Sequence, residues 1–502
     1  MGEGIVRELS QMFTVEQKGG KSHLVRNITL AISVGFLSAW FLIMFCSVTT
    51  YVDCFDGPEP ALNRAYITQS IAFVLFCVLL YKQNKSSSFL VESKALSLPL
   101  GSLLGIGSVI LSFSSVNENT LWLMVAIGSF LTAASSAMLF SILAQRFSLL
   151  SYKERLVYSV VAFGLTAIVL GVSSLVQITP AAIYAMCIAF VSGIALTISD
   201  RCKIDASNDK NVVETQDFVT VAKRKMLLRF GLLVFIWRLV VEWARTMLIR
   251  GGINEAGNTL FAQIHALGTI VVVVSALAII IMLAAIPKRF RLSYVYRVIL
   301  LTSLCAVLFT QIAFDESSKI IPYALTSGTT VLLMMITWAA AVLLIDLTDE
   351  YSPSQVILLA VGMSYGGAAV GFILGQCFDL MLEHVPLVFI VCEVICVCAL
   401  VMSYVSLFTE KDLDFVSRIL PNSKRHYFMD RCKKLASEYG LSEREEEILV
   451  MLAKGRNATY IQQTLYISYN TATTHRKRIY QKLGVHSQQE LMDFVEKGFE
   501  RS

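Results

Sequence analysis

The sequence predicts an all-α protein, with a polytopic domain of twelve membrane-spanning helices followed by a small soluble domain of four helices. Hydrophobic residues fill 55% of the 502 positions and charged ones only 16%, which is not the balance of a soluble chain. The apolar residues gather into stretches of about 20, the length that crosses a bilayer core. Beyond Phe408 the character changes, and 409–502 holds 16 Lys or Arg and 13 Asp or Glu.

Taken in order, residues 1–23 form a cytoplasmic N-terminal segment. It has no apolar core and small-residue cleavage site, and Ile5, Leu9, Met12 and Phe13 recur at the spacing of a short helix lying on the membrane surface. Six spans follow within 24–199, near 24–51, 65–81, 96–116, 121–144, 156–176 and 181–199. A polar connector occupies 200–226. Six more spans lie within 227–408, near 227–249, 259–285, 298–314, 323–347, 356–380 and 387–408. A linker, 409–438, leads to the soluble domain at 439–502.

Basic residues mark the loops retained in the cytoplasm. With the N-terminus inside, the inner loops carry 16 Lys or Arg and the outer loops only Arg64, Arg250 and Lys319, although the inner loop with Asp349 and Glu350 breaks the trend. An even number of spans then puts both termini in the cytoplasm, where the tail can reach the chromosome. Two six-helix halves joined by a cytoplasmic loop resemble the major facilitator fold, which implies halves packed around a central cavity. The Gly/Asp/Arg-rich signature of that family between spans two and three is absent, the loop reading Lys82-Gln83-Asn84-Lys85-Ser86-Ser87-Ser88.

An ionisable residue at the centre of a span costs about 2.5–3.5 kcal/mol on insertion scales and calls for a partner or a function. Span seven holds Arg238, Glu242 and Arg245, spaced four and three apart on one face. His265, Gln376, Asp379 and Glu393 fall in the outer halves of spans eight, eleven and twelve. One reading is an outward-opening pocket for a small-molecule ligand, with Arg238 and Arg245 binding a carboxylate or other anion and Trp237, Trp243 and Trp338 packing on its apolar part. The other is an internal network in which Glu242 pairs with one Arg and Glu393 or Asp379 with the other. The two are compatible. Of the eleven cysteines, eight lie inside apolar stretches without regular pairing, as packing residues, and neither a metal site nor a cofactor is expected.

In the tail, Phe428, Cys432 and Leu435 suit a short amphipathic helix that ends at Gly440. Ser442-Glu443-Arg444-Glu445 is a capping box opening a helix that buries Ile448, Leu449 and Leu452 and stops at Gly455. Asn457 caps a second helix, burying Ile461 and Leu465. After a tight turn Ser468 caps a third, running to Gly484. That helix turns Ala472, His475, Ile479 and Leu483 inward and Asn470, Thr473, Thr474, Lys477 and Gln481 outward. Ser487 opens a last helix through Leu491, Phe494 and Val495. From Ile448 through Gln489 there are six Lys or Arg and no acidic residue, which favours a polyanion.

These residues, from Leu441-Ser442-x-Arg444-Glu445 through Gly455, Ile461, Leu465, Ser468, Thr471 and Thr474-His475 to Ile479-x-x-Lys482-Leu483-Gly484-Val485, resemble the C-terminal helix-turn-helix of LuxR/NarL-type bacterial transcription regulators. Tyr460 and Gln462 stand where that family usually has Glu and Ala, and Ala472 replaces a Val. The resemblance implies that the third helix reads the major groove of double-stranded DNA and that the last helix pairs two subunits as a homodimer. Carried over by position, Thr473, Thr474 and Lys477 meet base edges and Ser468, Thr471, His475, Arg476, Arg478 and Lys482 lie near phosphates, with Asn470 on the same face. No nucleophile, acid or base constellation points to an enzyme. The expectation is a bacterial inner-membrane regulator in the lipid bilayer, controlled by a small molecule; the alternative is a transporter with a regulatory tail.

Overall fold

The computed structural model describes residues 21–46, 58–83, 96–113, 121–150, 152–176, 181–201, 217–250, 274, 292–312, 320–345, 351–382, 386–407, 432, 435–436, 438–453, 455–465 and 467–497. The chain divides into two compact units, the membrane-domain helices and the tail. All regular structure among the described residues is helical.

The first unit is built from α1 (Lys21–Cys46), α2 (Pro58–Gln83), α3 (Ser97–Phe113), α4 (Leu121–Ser148), α5 (Tyr152–Val176), α6 (Ala181–Arg201), α7 (Asp217–Arg250), α8 (Leu292–Leu308), α9 (Ile320–Leu344), α10 (Pro353–Leu382) and α11 (Pro386–Ser406). They correspond to eleven of the twelve expected spans. The expected span at 259–285, with His265, lies outside the described residues, as does the N-terminal segment. Seven of the helices are long and apolar enough to cross a membrane, and three further apolar stretches of 10–17 residues are present. The protein is a multi-pass membrane protein. Its surface agrees, since Leu75, Trp122, Phe130, Leu301, Ile395 and Met402 are all exposed, as side chains facing lipid would be.

The two halves repeat one pattern. In the first, α1 packs on α5 and α6, and α3 on α4 and α6; in the second, α7 packs on α10 and α11, and α8 on α9 and α11. Counting spans, partner 1–5 becomes 7–11, 3–4 becomes 9–10 and 3–6 becomes 9–12. Across the seam α4 meets α10 and α5 meets α9, which exchange under the same relation. This is the 6+6 arrangement the sequence predicts, a pair of repeats related by a pseudo-twofold.

The α7–α10 contact sets the geometry of the interior. A Cβ at Gly367 or Gly371 would fall on the carbonyl oxygen of Phe235 or Leu239, so only glycine lets the two backbones approach this closely. α7 begins at Asp217, about ten residues before the expected span, because 217–226 contains no Gly or Pro to stop it. Hydrogen bonds stitch the halves at the end where α1 and α7 start. Gln145 Nε2 donates to Ser354 Oγ (2.9 Å), Ser354 Oγ to Ser141 O (3.0 Å) and Gln355 Nε2 to Tyr81 O (3.0 Å). Arg155, one of the 16 basic residues assigned to inner loops, is buried and donates to Leu150 O, Ser148 O and Val342 O.

The tail unit contains α12 (Glu443–Ala453), α13 (Ala458–Leu465), α14 (Tyr469–Leu483) and α15 (Gln488–Lys497). Its core holds Ile448, Leu449, Leu452, Ile461, Ala472, Ile479, Leu483, Leu491 and Val495, the periodic apolar positions of the sequence. Cys432 and Leu435 belong to the same core. The domain therefore takes in part of the segment expected as linker, because those side chains are buried in its apolar core.

Candidate nucleic-acid interface and intramembrane charge cluster

Caps fix the tail helices where the sequence places them. Ser442 Oγ accepts from Glu445 N (3.3 Å) while Glu445 Oε2 accepts from Ser442 N (2.9 Å), the reciprocal pair of a capping box. Asn457 Oδ1 accepts from Tyr460 N (2.9 Å), and Ser468 Oγ from Thr471 N (3.1 Å). Gly484, at φ 67°, ends α14 in the left-handed region, and Val485 N donates back to Tyr480 O (3.0 Å). Only Tyr466, Ile467 and Ser468 separate α13 from α14, which makes the pair a helix-turn-helix.

α14 buries Ala472, Ile479 and Leu483. Asn470, Thr474, Lys477 and Gln481 are exposed, with Thr473 and Arg476 half-buried. Thr473 Oγ1 donates to Tyr469 O (2.9 Å) and Thr474 Oγ1 to Asn470 O (2.8 Å), so both hydroxyls are engaged by the helix backbone. His475 is half-buried, and its Nδ1 is buried without a hydrogen-bond partner.

Lys482 has a different setting. Its Nζ donates to Glu445 Oε2 (2.7 Å) and to Gly440 O (2.8 Å), tying the last turn of α14 to the start of α12. The Lys482 ammonium, helped by the Ser442 backbone N–H, holds the Glu445 carboxyl below its ordinary range. Neither tie is visible in the spacing of the sequence, because the partners are 37 and 42 residues apart.

In the membrane unit the three charges of α7 lie together. Arg238, Glu242 and Arg245 are 2%, 0% and 3% exposed. Arg245 Nε donates to Glu242 Oε1 (2.8 Å), and its NH2 reaches the same oxygen; Arg238 NH2 lies 3.5 Å from Glu242 Oε2. Arg238 NH1 also donates to Thr330 Oγ1 on α9 (2.8 Å). One carboxylate thus serves both guanidiniums, where the sequence reading assigned a separate acid to each. Thr310 Oγ1, next to the end of α8, donates to Glu393 Oε1 on α11.

The aromatic residues divide. Trp237 donates to Ser403 Oγ (2.9 Å) and Trp243 stacks on Phe389. Trp338 packs against Phe140 and Phe147 of α4, within a separate aromatic group. Gln376 is half-buried on α10. Sequence reading missed Tyr66 of α2, whose ring lies 5.6 Å from the Arg245 guanidinium carbon, and Thr330. It also missed Gln69, fully buried one turn after Tyr66. The cost rule applied to charged residues would have flagged Gln69 had it been extended to amides.

Comparison with known proteins agrees with the tail. Residues 440–495 match the family described as bacterial regulatory proteins, luxR family. The chain is 47% identical over 58 residues to the transcriptional regulatory protein TdiR of Thauera aromatica, covering 12% of this chain and 26% of that protein. It is 42% identical over 65 residues to the uncharacterized response regulatory protein YgeK of Escherichia coli (strain K12), covering 12% and 44%. Against the Fimbriae Z protein of Salmonella typhimurium it is 31% identical over 96 residues, covering 19% and 41%. The chain therefore spans less than half the length of each of these relatives. A crystal structure of a point mutant of the nucleoside transporter NupG superposes with a TM-score of 0.48 at 12% identity, covering 76% of this chain and all of that one. The C-terminal domain of this multi-pass membrane protein is a luxR-type helix-turn-helix.

Proposed function

We propose that this protein is a one-component transcription regulator of the bacterial inner membrane, binding double-stranded DNA through α14 under the control of a small molecule held by the membrane domain. One observation carries the DNA reading. The outer face of α14, with Asn470, Thr474, Lys477 and Gln481 exposed and Thr473 half-buried, lies in a stretch with six basic and no acidic residues from Ile448 to Gln489. Lys477 is suited to guanine O6 and N7, and the threonine methyls to thymine. Ser468, Thr471, His475, Arg476 and Arg478 take phosphate positions, with Lys482 anchoring the frame beside them. A homodimer through α15 suits a pseudopalindromic site.

The excess of basic residues in alternate loops supports termini in the cytoplasm, where the tail meets the chromosome. Control requires that the ligand bind one state of the membrane domain better than the other. Arg238, Glu242, Arg245, Trp338, Gln376 and Glu393, with His265, are the candidate ligand residues. Genome-wide mapping of bound DNA tests the DNA reading. Wild-type protein gives discrete sites, and the Lys477→Ala, Arg478→Ala double variant loses them; unchanged occupancy would refute it.

The repeat architecture favours a second reading, a transporter whose tail regulates it. Vesicles containing only this protein separate the two, because accumulation of a candidate ligand inside them supports transport.

A further inference from the structure

Gln69 is 0% exposed, and neither Oε1 nor Nε2 has a hydrogen-bond partner. A buried amide with both ends unmatched is destabilising, and native proteins retain such groups where function requires them. Aromatic residues flank it along α2. One turn before it, Tyr66 meets Phe372 of α10 at 5.2 Å and Phe45 of α1 at 6.1 Å. One turn after it, Phe73 meets Tyr365 of α10 at 4.4 Å and Phe140 of α4 at 6.1 Å. Phe140 leads on to Trp338 of α9, whose Nε1 is also buried without a hydrogen-bond partner. Apolar walls with a few converging polar groups are the composition of a small-molecule site. Both halves of the membrane unit contribute to these walls.

We propose that Gln69, with Tyr66, Phe73, Phe140, Tyr365 and Trp338, forms a binding site for a small uncharged molecule that has an apolar body and a donor and an acceptor on one edge. A carboxamide offers N–H and C=O side by side and carries no charge to balance an ion. Arg238 and Arg245 share Glu242, a cluster of net charge +1, and the neutral character of the ligand follows from the Gln69 amide. The proposal rests on the reading of the membrane domain as the ligand-responsive part and changes the expected ligand from an anion to a neutral molecule.

Thiol accessibility in native membranes tests it, with the full-length chain carrying Gln69→Cys. Cys77, buried two turns along the same helix, is the packed control. N-ethylmaleimide, small and neutral, modifies the new thiol about tenfold or more faster than Cys77, while an anionic sulfonatoethyl methanethiosulfonate shows no such preference. Labelling of both thiols at one rate overturns the site, and preference by the anionic reagent overturns the neutral ligand. Gln69→Leu gives a second measure that does not depend on labelling. It raises the unfolding midpoint of the purified protein by about 2–4 °C, because an unmatched amide is removed; a lowered midpoint overturns the proposal. Neither measurement involves DNA, so a failure to bind DNA refutes the regulator reading and leaves this one standing.

Discussion

At the scale of single residues, the tail separates exposed basic side chains from those that hold the frame. Arg478 is exposed with no carboxylate on its helix, whereas the Lys482 ammonium is shared between Glu445 and Gly440. Arg478→Ala should weaken binding to all sequences alike and reduce the slope of log K against log salt by about 0.9, the value for one lost phosphate contact. Lys482→Met should leave that slope unchanged and lower the thermal midpoint of the tail domain. Both follow from titrating one labelled duplex at several salt concentrations, with parallel melting curves. Glu445 adds a pH dependence. Its carboxyl titrates below the ordinary value when folded, so its stabilisation is present at neutral pH and is lost as pH falls through the lowered folded value. The tail should therefore melt at lower temperature below about pH 4.5, with a shallower decline in Glu445→Gln; identical pH profiles would show that the tie contributes nothing.

At the scale of elements, the membrane unit depends on how closely α7 and α10 approach. Gly371→Leu would place a side chain on the Leu239 carbonyl and force the helices apart, and the expected result is loss of folded protein in detergent, read by size-exclusion chromatography. The ion cluster that α7 carries is equally exposed to a single change. Glu242→Gln leaves two guanidiniums, 2% and 3% exposed, without their carboxylate, at a cost of roughly 3–5 kcal/mol, seen as a lowered unfolding midpoint. The sequence made the α7 face legible because i, i+3 and i+4 spacing is local, and the caps of α12 to α14 were legible for the same reason. Thr330 and Tyr66 were not, because they reach the cluster from α9 and α2, and which helices become neighbours is decided by tertiary packing. The extension of the tail core to Cys432 and Leu435 was half visible: the spacing showed an amphipathic turn but not the surface it covers.

At the scale of the whole molecule, a luxR-type helix-turn-helix domain is attached to one built to sit in lipid. The 6+6 arrangement was legible because each span is an apolar block of nearly fixed length and the connector divides them evenly. Its ligand chemistry was less so. Arginines in a span suggested an anion; the structure brings both to the one carboxylate of Glu242 and leaves the Gln69 amide unmatched elsewhere. The central claim is that this protein, held in the membrane, occupies specific DNA through α14. Chromatin immunoprecipitation of the full-length chain, compared with the Lys477→Ala, Arg478→Ala double variant at equal membrane abundance, tests it most directly. The account predicts a small set of sequence-related sites that vanish in the double variant; occupancy that is uniform, or the same in both proteins, would contradict it.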